Sequence, residues 1–119
     1  MILVDTSIWV DHFRDGNERL AELLDRAAVV GHPWVTGELA LGRLRHWAEL
    51  VTLLNNLPQA TVATPAEVLM LIDSAGLAGS GIGYVDAQLL AATRLTPGAA
   101  LWTGARRLAA AADRLGVSV

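Results

Sequence analysis

The chain opens on an unbroken apolar stretch, Met1 to Val4, that runs into a carboxylate at Asp5. The stretch is short and β-branched at Ile2 and Val4, which predicts a buried strand. After Asp5 the rhythm changes: Ile8, Trp9 and Phe13 recur at helical spacing up to Asp15-Gly16-Asn17. Asp5, Thr6 and Ser7 are all residue types that cap such a helix. A second helix is expected over about Glu18 to Ala27, with Leu20, Leu23, Leu24 and Ala27 on one face. Residues 28 to 30 then read as a strand, ended by Gly31-His32-Pro33. Helices follow over about Val35 to Arg43 and Arg45 to Asn56, closed by Pro58.

Residues 60 to 63 predict a third strand. Thr64, Pro65 and Glu67 form a helix start, with a capping-box pair around a first-turn proline. That helix reaches about Ala75 and gives way to a glycine-rich loop, 75 to 83. Val85, Leu89 and Ala92 mark a helix over about Tyr84 to Thr93. After the Thr96-Pro97-Gly98 turn, residues 99 to 103 predict a fourth strand. A helix over Ala105 to Leu115 and a fifth short strand, 117 to 119, complete the pattern. Strands alternating with helices imply a parallel sheet covered on both faces, with its site beyond the carboxyl ends of the strands. Asp5 stands at such an end.

Composition narrows the function. With 119 residues, 53% of them hydrophobic and 18% charged, the chain fits one domain, 1–119, with ample core material. No apolar run approaches the roughly 18 residues of a membrane span. The absence of cysteine excludes disulfides and thiolate metal sites, and a cytoplasmic location fits. The net charge of −3 is unlike that of most nucleic-acid binders, unless cations sit among the carboxylates. All nine basic residues are Arg.

Three acids lie in mostly apolar surroundings near predicted helix starts: Asp5, Glu38 and Asp86. Each alone is accounted for as a helix-start acid stabilised by the dipole. Together they would repel, by about 4 kcal/mol per pair at ~4 Å and an effective dielectric near 20. A divalent cation relieves that repulsion. Oxygen-only ligands favour Mg²⁺ or Mn²⁺, which bind phosphate oxygens and activate water for in-line attack.

The segments VDTSIWVDHFR, GELALG, GIGYVDAQLLAA and LWTGARRL, in that order across the whole chain, resemble the PIN domain. More closely, they resemble the VapC toxins of bacterial VapBC toxin–antitoxin systems. The resemblance implies a three-layer α/β/α sandwich with a short parallel sheet of strand order 3-2-1-4-5. It also implies a metal-dependent endoribonuclease acting on tRNA or rRNA. Asp5, Glu38 and Asp86 match the family's first three acids and would be catalytic metal ligands for Mg²⁺, with Mn²⁺ as substitute. Thr6, Ser7 and Thr103 match hydroxyls that support them. The implied partners are a VapB-like antitoxin, RNA and a second copy in a homodimer.

One departure stands out. The family places a fourth acid two residues after the Thr matched by Thr103, and here Ala105 fills that place. Asp113 lies two turns farther on, ~12 Å along a helix, and is no ready substitute. The expectation is a surviving fold and one metal site, with weakened turnover. A PIN-fold binding module without catalysis is the competing reading. A 5′-nuclease or phosphatase is disfavoured by chain length and by Asp5-Thr6-Ser7 in place of Asp-x-Asp.

Arg106 and Arg107, beside the fourth-acid position, are candidate RNA contacts. His12, His32 and His46 lack metal-ligand spacing and read as structural or surface residues. Trp34 and Trp47 read as core or interface anchors. The loop 79 to 83 lacks the Lys of a phosphate-binding loop and reads as a flexible entry to the Asp86 helix.

Overall fold

The computed structural model describes residues 1 to 119. Its elements run β1 (Ile2–Val4), α1 (Thr6–Asp15), α2 (Glu18–Asp25), β2 (Val29–Val30), α3 (Pro33–Ala40), α4 (Trp47–Asn56), α5 (Pro65–Ser74), α6 (Tyr84–Leu95), β3 (Ala100–Trp102) and α7 (Arg106–Arg114). The sheet is parallel and β1 is its centre, in the order β2-β1-β3. Leu3 pairs with Val30 on one side and Leu101 on the other.

Neighbouring strand residues point to opposite faces of a sheet. Leu3 and Val4 are both wholly buried, as are Val29 and Val30 nearly so. Both faces are therefore covered, as parallel sheets require. The strands' apolar side chains join Trp9, Leu20, Leu54, Leu89, Leu90 and Leu108 in one core. Ala87, Ala91 and Ala92 keep α6 slim where it is buried, so that it can lie close to its neighbours.

Two of the five expected strands do not form. Segment 60 to 63 is irregular, and the one parallel bridge on that side, Gly31 to Gln59, lies just before it. The reason is a partner distant in the chain. The Thr61 N–H, which a strand would offer to its neighbour, donates to the Thr96 hydroxyl at 2.9 Å. Segment 117 to 119 likewise makes one bridge, Leu101 to Ser118. The three strands that form match the 2-1-4 centre of the expected order 3-2-1-4-5, and each outer side carries one parallel bridge in place of a strand.

Several helix boundaries also shift. Helix α3 starts earlier, at Pro33, because His32 caps it, and ends at Ala40 rather than Arg43. Helix α4 starts at Trp47, after His46 takes a left-handed conformation (φ 57°) that interrupts the chain. Helix α5 begins as expected: the Thr64 and Glu67 side chains reciprocally cap each other's backbone. No helix is long and apolar enough to cross a membrane.

Candidate active site

Asp5 leaves β1 in extended conformation and caps α1, where it is 6% exposed. A buried carboxylate needs hydrogen bonds in place of water. Oδ1 accepts from the Thr6 backbone N–H at 2.7 Å. Oδ2 accepts from the Ser7 hydroxyl at 2.9 Å and from the Thr103 hydroxyl at 2.7 Å. The Ser7 and Thr103 oxygens accept in turn from the N–H groups of Gly104 and Ala105, both at 3.0 Å. The loop after β3 is thereby locked onto the start of α1.

Glu38 lies on α3 and is tied to the same corner. The Thr6 hydroxyl donates to its Oε1 at 2.7 Å, while Oε2 takes no hydrogen bond. Thr6 therefore serves both acids, Asp5 through its backbone and Glu38 through its side chain. Asp86 sits in the first turn of α6. Its Oδ2 accepts from the Gly83 N–H at 3.2 Å, and Oδ1 is free.

The three acids feel one another. Burial pushes the Asp86 carboxyl above its usual range, and the charges of Asp5 and Glu38 push it further up, against the Gly83 hydrogen bond. No basic side chain neutralises the group: the ion pairs of the molecule involve Asp11, Asp15, Glu22 and Glu49. As they lie, however, no three carboxylate or imidazole groups are close enough to share one ion. The corner is a set of electrostatically coupled acids rather than a closed metal cage.

At the fourth-acid position Ala105 caps α7 without any side-chain bond. Arg106 and Arg107 are exposed and form no ion pair. Arg107 lies across Gly81, whose φ of +87° and lack of Cβ leave room for the guanidinium. A side chain of α7 thus touches the loop 79 to 83 at Gly81, while Gly79 and Gly83 stay open. A groove of about 860 Å³ includes Thr6 and Glu38 in its wall, with apolar Val10, Phe13 and Leu50 and basic Arg14, Arg43 and Arg45.

Sequence reasoning missed two features. His32 is wholly buried; its Nδ1 accepts from the Trp34 N–H at 3.1 Å, and its Nε2 has no partner. Pro33 at the first helical position was the one signal that a cap preceded it. The other feature is a contact between the Trp34 and Tyr84 rings, with centroids 5.7 Å apart, and a separation of 50 positions left no pattern to find it by.

No model of a known protein family matches the chain. It is 46% identical over all 119 residues to Ribonuclease VapC32 of Mycobacterium tuberculosis strain CDC 1551 / Oshkosh, and spans 96% of that protein's length. The same values hold for Ribonuclease VapC32 of strain ATCC 25618 / H37Rv. Such identity along the full length, over a parallel α/β fold with its acids gathered at one corner of the sheet, places the chain in the VapC family of PIN-domain ribonucleases.

Proposed function

We propose that the chain is a toxin of a type II toxin–antitoxin system, a single PIN domain that hydrolyses phosphodiester bonds in RNA. Asp5, Glu38 and Asp86 are its catalytic acids and hold a divalent cation. The observation that supports this most is the gathering of Asp5, Glu38 and Asp86 at one corner with no basic partner: Thr6 bonds both Asp5 and Glu38, and the charges of these two add to the burial that raises Asp86. Acids gathered at one corner without a basic partner suit a cation that is not part of the chain.

The donor set fits a hard divalent ion. All candidate ligands are oxygen, and Glu38 Oε2 and Asp86 Oδ1 carry no competing hydrogen bond. Mg²⁺, or Mn²⁺ in its place, supplies charge for the phosphate and lowers the pKa of water. The chain's own residues do the positioning. Ser7, Thr103 and the Thr6 N–H hold the Asp5 carboxylate in one orientation, leaving little of its acceptor capacity unused. The Thr6 hydroxyl orients Glu38. Asp86 is tethered through Gly83 and moves only with the start of α6. With Ala105 at the fourth position, the donor set supports one cation rather than two.

A VapB-like antitoxin and a second copy of the chain are the proposed protein partners, and the cytoplasm the proposed location. The exposed apolar residues support both contacts: Leu41 and Trp47 near the groove, Leu69 and Met70 on α5.

The test is cleavage of a pooled tRNA and rRNA substrate in Mg²⁺, Mn²⁺ or EDTA, beside the Asp5→Ala variant. Cutting that needs the metal and disappears in the variant is expected. No cutting in any metal would replace the nuclease with a PIN-fold module that only binds.

A further inference from the structure

We propose that Trp34 and Tyr84 form a stacking platform for an unpaired nucleobase beside the acidic corner. The inference rests on the ribonuclease reading and says how a single-stranded segment is held there. Both rings are large and substantially exposed, Trp34 at 39% and Tyr84 at 43%. Their planes tilt by 57°, so they meet without stacking fully on each other and leave face area uncovered.

Their placement ties them to the acids. Trp34 precedes Glu38 by one helical turn on α3, which puts the two on one face. Tyr84 opens α6 two residues before Asp86. The ring contact thus bridges the two helices that carry the second and third acids.

The Tyr84 side chain and the Trp34 backbone are each held by a buried polar group. The Trp34 backbone is held by His32, which is 0% exposed. The Tyr84 hydroxyl accepts from Gln88 Nε2 at 3.2 Å, and Gln88 is 2% exposed. Rings ordered in advance lose less freedom when a ligand arrives.

Electrostatics favour this mode of binding. The net charge is −3 and no basic residue pairs with the acids, so stacking supplies affinity that does not depend on the arginines of the neighbouring groove, Arg43 and Arg45. Stacking on an aromatic face needs no opposite charge and accepts any base. It also requires an unpaired base, which selects loops and single strands over duplex.

The experiment uses the full chain and a fluorescein-labelled single-stranded RNA of mixed sequence in Ca²⁺, read by anisotropy. A copy of that RNA carrying 5-iodouridine is photo-crosslinked to the protein and the adducts mapped. We expect Trp34→Ala and Tyr84→Ala each to weaken binding roughly tenfold, the scale of one lost stack. Trp34→Phe and Tyr84→Phe keep most of the affinity, and adducts on the unmodified chain fall on Trp34 or Tyr84. Unchanged affinity in both alanine variants, with adducts elsewhere, overturns the platform and leaves the ribonuclease reading standing. Failure of the unmodified chain to bind or cut any RNA overturns both. Crosslinking needs no substitution, so the result stands even if an alanine variant folds poorly.

Discussion

The Thr103 hydroxyl donates to Asp5 Oδ2 at 2.7 Å, joining residues 98 positions apart in the chain. The bond spans the junction between the central strand and its neighbour, and it involves a buried charge. Hydrogen bonds to charged groups are worth about 1.5–3 kcal/mol. Thr103→Val keeps the shape and removes the donor, so it should destabilise the fold by about that amount. Thr103→Ser should recover most of it. Urea unfolding of the three proteins checks this; equal midpoints would mean the bond contributes nothing.

Ala105 is the least adapted residue of the site, since it opens α7 with no side-chain cap. Ala105→Asp should supply one and stabilise the helix by about 1 kcal/mol. The new carboxylate also adds a negative charge near Asp5, so the gain should be larger in Mg²⁺ than in EDTA. Thermal melts in both conditions, with metal titrations by calorimetry, read the two effects separately. A variant less stable in Mg²⁺ than in EDTA would contradict the assignment of this position.

His32 predicts an acid-sensitive fold. Burial holds its imidazole below the ordinary histidine range, and Nδ1 must stay unprotonated to accept from Trp34. A group with a depressed folded pKa contributes stability above its unfolded pKa, near 6.5, and loses it as pH falls through the folded value. Melting temperature should therefore drop as pH falls below about 6.5. His32→Asn keeps a capping oxygen and should flatten that slope. His12 and His46 remain in both proteins, so the difference isolates His32.

Asp86 gives the opposite sign. Burial, with Asp5 and Glu38 adding to it, raises its folded pKa, so the folded state holds the proton more tightly than the unfolded one. Stability falls as pH rises from the ordinary carboxyl range through the folded value, and the cost is complete above it. Asp86→Asn should therefore be more stable than the unmodified chain at pH 7 and no more stable at low pH. Added Mg²⁺ should narrow the gap by stabilising only the chain that binds it. Cleavage should be lost in the variant.

Much of this was legible along the chain. An apolar run ending in Asp5 is enough to predict a central strand with a carboxylate at its edge. Thr64, Pro65 and Glu67 announce α5 because capping is a local interaction. What failed was set by distant partners. Residues 60 to 63 have the composition of a strand, yet the Thr96 hydroxyl takes the Thr61 amide. His32 was unremarkable by spacing because its role depends on burial and on one turn of backbone. The Trp34–Tyr84 contact joins two helices and has no sequence signature. Asp5, Glu38 and Asp86 stand out by their apolar surroundings near helix starts, and likeness of motif adds their roles. Only the coordinates show Thr6 reaching Glu38 and Thr103 reaching Asp5.

The pairing of β1 with β3 has a consequence for synthesis. Translation delivers Asp5 first, while its Thr103 partner and the loop that clasps Ser7 come nearly a hundred residues later. Until that stretch has left the ribosome, the corner lacks a wall and the central strand lacks a neighbour. The corner that holds Asp5 is therefore completed late, only after residues 103 to 105 have emerged, however early the rest of its wall has folded.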